Sequence, residues 1–291
     1  MTNTRNFIIY LELIEAFGLT LKVEGLRPHT ISCYLRDAKR FVESVGETSP
    51  SDLKTDHVRR FLQAFGKTVS PRTVASAQLG LRRFFRFLVD EGEIKRDPSA
   101  TIRLKRYRTK PQPTYSPSEI SVLIAACDTT TDAGIRDRAM LTVLFDTGVR
   151  VGELVFMRMP NWDTNVVSVD GKTGVRIIPL GVTSQVAIRR YVRRWGIHQG
   201  LLWRGRRGVI KESGVFQMIR RVAARAGVEF KGVHAFRRAT AAQMKRLGMN
   251  DSDILEIMGW KDVTMLRRYT AAVSFELAQA AHSRFSPMDL M

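Results

Sequence analysis

The chain has 291 residues, with 47 Lys+Arg against 28 Asp+Glu, a formal net charge of +19 at neutral pH and 44% hydrophobic residues. That apolar content sustains a packed core and excludes a disordered basic tail, and no run approaches the ~18 consecutive apolar residues of a membrane-spanning helix. The N-terminal segment holds Glu12 and Glu15, which is wrong for a secretory signal, and Cys33 and Cys127 lack metal-type spacing. They read as free thiols of a soluble cytoplasmic, nucleoid-associated protein with no membrane contact. Charge of this size points to a polyanion, usually nucleic acid.

The first half reads as helices. Phe7–Leu21 fits a helical stretch. In Pro28–Val45 the apolar residues Ile31, Tyr34, Leu35, Ala38, Phe41, Val42 and Val45 recur at helical spacing, with Arg36, Lys39 and Arg40 on the other side. Asp56–Phe65 is a shorter helical stretch. Ser70-Pro71 is a start signal: a hydroxyl cap, then a proline where its missing N–H costs nothing. The helix it opens buries Val74, Ala77, Leu81, Phe84, Phe85 and Leu88, shows Arg82, Arg83 and Arg86, and stops near Gly92. Helices without strands make residues 1–104 a small helical bundle. Residues 105–113 are a basic linker that ends Pro111-Gln112-Pro113. The densest charge run, Arg103 to Lys110 with Lys105, Arg106 and Arg108, reaches into it.

The second half, 114–291, opens at Ser116-Pro117-Ser118-Glu119, a capping box with a proline at the first helical position. Helices follow through Ala126 and from Ala133 to Phe145. The period then changes. Val166–Val169 and Val175–Leu180 read as short strands around Asp170-Gly171-Lys172-Thr173-Gly174, a glycine-framed turn. Helical patterns return at Ser184–Trp195, Gly214–Ala226, His234–Leu247, Ser252–Met258 and Phe275–Arg284. The fold class expected is mainly α (α+β), a helical bundle followed by a mostly helical domain with a small antiparallel sheet.

Both halves are basic: residues 1–113 hold 21 Lys+Arg against 12 Asp+Glu, and 114–291 hold 26 against 16. The excess is therefore no appended tail. Two basic domains joined by a basic linker suggest a clamp around a duplex, the linker crossing a phosphate backbone. HExxH, CxxC, GxGxxG after a strand, the phosphate-binding GxxxxGK[ST] loop and the GxSxG elbow are all missing, and no histidines pair at ligand spacing. The expected cofactor content is none, metal included.

Three segments stand out. They are Thr147-Gly148-Val149-Arg150-Val151-Gly152-Glu153, His234-Ala235-Phe236-Arg237, and Gly259-Trp260 followed nine residues after the tryptophan by Tyr269. In order and spacing they resemble the catalytic segments of the tyrosine recombinase (phage integrase, Xer-like) family, over residues 147 to 285. The N-terminal half is similar in pattern to that family's core-DNA-binding bundle.

The residue types suit attack on a phosphodiester. Charge develops on the non-bridging oxygens, and guanidinium groups hold such oxygens in two-pronged fashion, which makes Arg150 and Arg237 the natural pair. His234, three residues before Arg237, either donates to the phosphate or accepts the tyrosine proton. Tyr269 is the expected nucleophile, a phenol whose ordinary pKa of about 10 calls for a cationic pocket. Trp260 stands where many relatives carry histidine; its indole N–H can donate, but it moves no proton. Glu153 holds the site by hydrogen bonding, and the resemblance makes Lys172 the acid that protonates the departing 5′-oxygen.

The resemblance implies a site-specific recombinase that acts on double-stranded DNA at paired inverted-repeat sites. It would work through a 3′-phosphotyrosyl link and a Holliday junction, as a homotetramer on two sites. Integration or excision of an element and resolution of mobile or dimeric DNA all fit. The DNA-contacting candidates are Arg36, Lys39, Arg40, Arg82, Arg83, Arg86, Arg103, Lys105, Arg106 and Arg108. Phe275, Leu277, Ala278, Ala281 and Phe285 form an apolar face that docks on a neighbour or packs on its own domain. The competing readings are a type IB topoisomerase-like enzyme, a non-catalytic DNA-binding regulator, and an RNA-binding structural protein.

Overall fold

The computed structural model describes residues 3–103, 112–171, 174–205, 208–271 and 273–289, with side chains from Asn6 onward. Most of the linker, with Lys105, Arg106 and Arg108, and the hairpin residue Lys172 lie outside the described residues. The chain divides into two compact units, Met1–Arg108 and Thr109–Met291. No helix among the described residues is long and apolar enough to cross a membrane.

The first unit is built from α1 (Asn3–Val23), α2 (Pro28–Val45), α3 (Thr55–Gly66) and α4 (Pro71–Asp90). Ser70 caps α4 as the sequence implies, its Oγ accepting from Thr73 N at 3.2 Å. Aromatic rings cross between the helices amid aliphatic residues such as Leu21, Val42, Leu81 and Leu88. Phe41 of α2 stands edge-on to Phe61 of α3 at 5.6 Å and to Phe85 of α4 at 5.1 Å. Tyr10 and Phe17 of α1 close the same core.

In the second unit α5 (Pro117–Ala125) starts at the expected capping box: Ser116 Oγ accepts from Glu119 N at 3.1 Å, and Ser116 N donates back to Glu119 Oε2 at 2.7 Å. Helix α6 (Asp132–Thr147) is the core element, with Ala139, Met140, Leu141, Val143 and Leu144 all buried. Around it lie α7 (Val151–Val155), α8 (Val182–Trp195), α9 (Glu212–Ala226) and α10 (His234–Arg246). The small residues Ala235, Ala239, Ala241 and Ala242 of α10 are buried, which lets helices approach closely. Thr240 Oγ1 donates to Phe145 O at 2.7 Å, pinning α10 to the end of α6. A satellite core of Ala241, Ile254, Met258, Trp260 and Leu266 joins α10 to α11 (Asp251–Met258) and α12 (Val263–Thr270). Helix α13 (Ser274–Phe285) closes the unit.

The hairpin pairs β1 (Val166–Gly171) with β2 (Gly174–Pro179) antiparallel, from Val166↔Pro179 to Gly171↔Gly174. At the turn, pairing runs past the strand ends expected from sequence, because a backbone ladder continues through Asp170 and the glycines whatever their side-chain propensity, while β2 stops at Pro179, one residue short of the expected Leu180. A second ladder, β3 (Arg204–Gly205) with β4 (Gly208–Val209), escaped the sequence pattern, as did α7 and α12. The two-residue strands and the five-residue α7 are too short to display a period, and α12 carries two adjacent arginines, Arg267 and Arg268, that break its apolar pattern.

Candidate active site

The segment after α6 sets the first arginine. Gly148 ends the helix with a left-handed φ of 59°. Any other residue would be strained there, and its Cβ would lie 2.8 Å from Met258 Sδ. The turn places Arg150 at the N-cap of α7. Its backbone N–H donates to Glu153 Oε2 at 2.8 Å and its Nη1 to Oε1 at 2.7 Å. Glu153 is buried and has a further partner, Arg176 of β2, whose Nη1 and Nη2 donate to Oε1 at 2.6 Å and Oε2 at 2.8 Å.

Burial raises the Glu153 pKa, but bonds from Arg176 and Arg150 outweigh it and hold the carboxyl at about 2, against an ordinary value of 4.5. A depressed folded value means that the stabilisation is complete above the ordinary value. It fades as pH falls toward about 2. The shift corresponds to about 3 kcal/mol. The urea midpoint of the native protein should therefore fall by that equivalent on acidification through this window, and Glu153→Gln should lose this part of the pH dependence. Identical pH profiles for the two proteins would contradict the linkage.

Helix α10 supplies His234 and Arg237. Arg237 is 1% exposed. Its Nη1 donates to Gly148 O at 2.5 Å, its Nη2 donates to Met258 O, and its Cζ lies 5.1 Å from the centre of the Trp260 ring. Burial, then the charge of Arg150, lowers its pKa, with Glu153 opposing. His234 has an exposed edge, yet partial desolvation and the charges of Arg237, Arg238 and Arg150 push its pKa below the ordinary imidazole value, with Glu212 opposing. The neutral ring therefore dominates at neutral pH. Beside it opens a recess of about 490 Å³ lined by Val151, Glu212, Phe216, Lys231 and His234.

Trp260 follows the α11 stop and is 7% exposed. Its ring centre is 4.7 Å from that of Tyr269, which is half-buried on α12. Asp262 caps α12 by accepting from Thr264 N at 2.8 Å. Four buried N–H groups have no acceptor among the described residues, Arg82 Nε, Trp203 Nε1, Arg237 Nε and Trp260 Nε1, and the last two belong to side chains in mutual contact. Buried donors are seldom left unpaired, and the contact of Arg237 with Trp260, and of Trp260 with Tyr269, is what makes this pair suited to an acceptor-rich group. No cluster of three metal-ligating side chains occurs among the described residues.

The structure thus brings Arg150, Glu153, Arg237, Trp260 and Tyr269 together, with His234 one turn from Arg237 on the same helix. Sequence reasoning missed Arg176. The sequence pattern pointed the other way: apolar Val175 and Ile177 on either side of Arg176 read as the inward face, yet in the structure both are exposed and Arg176 shares the inward face with buried Ile178. A charged residue on the buried face of a strand needs a buried partner, and Glu153 is that partner.

The DNA-contacting candidates differ in setting. Arg36, Lys39 and Arg40 of α2 are exposed, with Arg36 3.5 Å and Arg40 3.9 Å from buried Asp37. On α4, Arg83 pairs with Glu24, and Arg86 lies 3.3 Å from Asp90. Arg82 turns instead to Ile102 O at 2.6 Å, with a buried Nε, so it ties the chain after α4 to the bundle. Arg103 is exposed.

A sequence model of the phage integrase family matches residues 114–274, and one of the phage integrase N-terminal SAM-like domain matches residues 13–92. The chain is 28% identical to tyrosine recombinase XerD of Listeria monocytogenes serotype 4b (strain F2365), over 95% of this chain and 99% of the relative. It is 27% identical to tyrosine recombinase XerC of Xanthomonas campestris pv. campestris (strain B100), over 94% of this chain and 89% of the relative. Among solved structures, the Tn1549 transposon integrase (residues 82–397, Y379F) in complex with transposon right end DNA aligns with a TM-score of 0.76 at 17% identity, covering 94% of this chain and 99% of that one. A lambda integrase (75–356) dimer bound to a COC′ core site aligns at 0.74 and 18%, covering 87% and 96%.

Proposed function

The chain belongs to the phage integrase family of tyrosine recombinases, and we propose that it is a site-specific recombinase, a DNA strand transferase working through a 3′-phosphotyrosyl intermediate. The observation that carries this reading is the contact chain Arg237–Trp260–Tyr269, with buried, unpaired N–H groups on Arg237 and Trp260 beside the phenol. Those donors, with the guanidinium of Arg150, suit the non-bridging oxygens of a scissile phosphate.

In the proposed sequence Tyr269 Oη attacks phosphorus. A P–O bond to tyrosine forms as the bond to the 5′-oxygen breaks. Neutral His234 accepts the phenol proton, and Lys172 protonates the departing 5′-oxygen. The 5′-hydroxyl of a partner strand then attacks the phosphotyrosine and frees Tyr269. The link conserves the phosphodiester's energy, so strand exchange proceeds through a Holliday junction without an external energy source. A nicked DNA substrate that loses its short 5′-hydroxyl strand on cleavage should trap the protein covalently. Failure to trap any adduct would contradict the reading.

The partner is double-stranded DNA with paired inverted-repeat sites, in the cytoplasm. The assembly is a homotetramer on two sites, and α13 supports it. None of its residues is buried, Phe275 and Phe285 are 81% and 72% exposed, and Arg246 Nε holds Glu276 Oε1 at 2.7 Å. A helix whose apolar side is left open suits docking on a neighbouring protomer. Deleting residues 274–291 should impair assembly on paired sites, read by gel shift, more than binding to one half-site. Equal loss of both would contradict docking in trans.

A further inference from the structure

Arg176 lies outside the family motif quoted above, yet it is among the most enclosed cations of the second unit, its side chain 9% exposed. Three of its N–H groups are committed. Nη1 and Nη2 take both oxygens of Glu153, and Nε donates to Ile257 O at 3.2 Å. It therefore joins β2, α7 and the last turn of α11 at one point. The glycine before Trp260 fits this path: at Gly259, with φ 60°, a Cβ would stand 2.9 Å from Arg176 Cδ.

The electrostatics give the bridge a purpose. Arg150 and Glu153 alone form a neutral pair, and a carboxylate bonded to a guanidinium quenches the field that the guanidinium offers to a phosphate. Adding Arg176 gives two cations on one carboxylate, so the cluster keeps a net positive charge. Glu153 then accepts four hydrogen bonds, two from Arg176 and two from Arg150. Arg150 is the outer member, its side chain 26% exposed, and so the one available to a ligand.

We infer that Arg176 is a positioning residue for strand cleavage: by sharing Glu153 it fixes the Arg150 guanidinium and leaves its charge free for the scissile phosphate. This role rests on the strand-transfer reading. It predicts a defect in the chemical step and specifically in the handling of phosphate charge, not in DNA affinity.

The test compares native protein, Arg176→Gln, Arg176→Lys and Arg150→Ala on nicked DNA carrying either a normal scissile phosphate or a neutral methylphosphonate at that position. The readout is the ratio of adduct-forming rates on the two substrates within each preparation, which cancels any loss of folded protein. Removing the phosphate charge removes what Arg150 stabilises, so Arg150→Ala should show a ratio well below that of the native protein. Arg176→Gln should follow it, with a ratio lowered about tenfold or more and unchanged half-site binding. Arg176→Lys keeps a charge without the two-pronged grip and should fall between. An unaltered ratio in both Arg176 variants, whatever their absolute rates, would reduce Arg176 to a purely structural residue and overturn the inference while the strand-transfer reading stands. A native protein that forms no adduct on normal phosphate would overturn both.

Discussion

Tyr269→Phe should abolish covalent capture of DNA on a nicked substrate, by at least about 10⁴-fold, while half-site binding stays within about twofold. The substitution removes one oxygen. It keeps the ring that packs 4.7 Å from Trp260, so the satellite core of Ile254, Met258 and Leu266 remains filled. The neighbouring Arg267 and Arg268 are exposed and remain available to the backbone of a bound duplex. Loss of the adduct with retained binding, measured by denaturing gel and fluorescence anisotropy, isolates the hydroxyl as the nucleophile. An adduct formed at the native rate by the phenylalanine variant would move the nucleophile elsewhere.

Arg237→Gln carries the second largest expected effect, and it acts on two quantities at once. Cleavage should fall about 10²- to 10³-fold through loss of charge stabilisation at the phosphate. Stability should also fall, because Gly148 O and Met258 O now both receive a guanidinium N–H in the interior. Glutamine cannot span both carbonyls, and one of them left buried and unpaired costs about 1–3 kcal/mol. The melting temperature should drop by a few degrees while the folded protein still binds a half-site. Arg150 is only partly buried, donates to no backbone carbonyl among the described residues, and shares Glu153 with Arg176, which still holds that carboxylate, so Arg150→Ala should lose rate with a smaller loss of melting temperature than Arg237→Gln. The two arginines are thus separable by a thermal melt alongside the cleavage assay. A variant at Arg237 with native cleavage would exclude it from the site.

Much of the helical framework was legible because its signals are local. Ser70-Pro71 and Ser116-Pro117-Ser118-Glu119 open α4 and α5 as expected, since a cap needs only residues three apart. The seam of α2 was equally readable from Ile31, Ala38, Phe41 and Val42. Some short elements were not. Helix α7 has five residues, and it is held less by propensity than by Glu153 reaching back to Arg150 N. Helix α12, which carries Tyr269, spans eight residues with β-branched Val263 and Thr264 at its start and Arg267 and Arg268 in its last turn, so its apolar pattern was not recognised, whereas α11 of the same length was. Arg82 shows another limit. It shares a helical stretch with Arg83 and Arg86, but only the fold directs it to Ile102 O.

The sequence by itself determined the chemistry on offer: which groups can clamp a phosphate, which can attack it, and that both halves of the chain carry a basic excess. It did so because ionisable and nucleophilic groups are properties of residues, and because the spacing of Arg150, His234, Arg237, Trp260 and Tyr269 is written along the chain. The tertiary structure decided how those charges are shared. His234 and Arg237 stand three residues apart on one helix, yet one is exposed and the other dry, because only Arg237 points at the junction of α6, α10 and α11. Glu153 reads as a partner of Arg150 in sequence, but β2 brings a second arginine to the same carboxylate. Whether that carboxylate quenches one cation or ties two together depends on distances across separate elements. Coulomb and hydrogen-bond energies are set by those distances, and no local pattern encodes them.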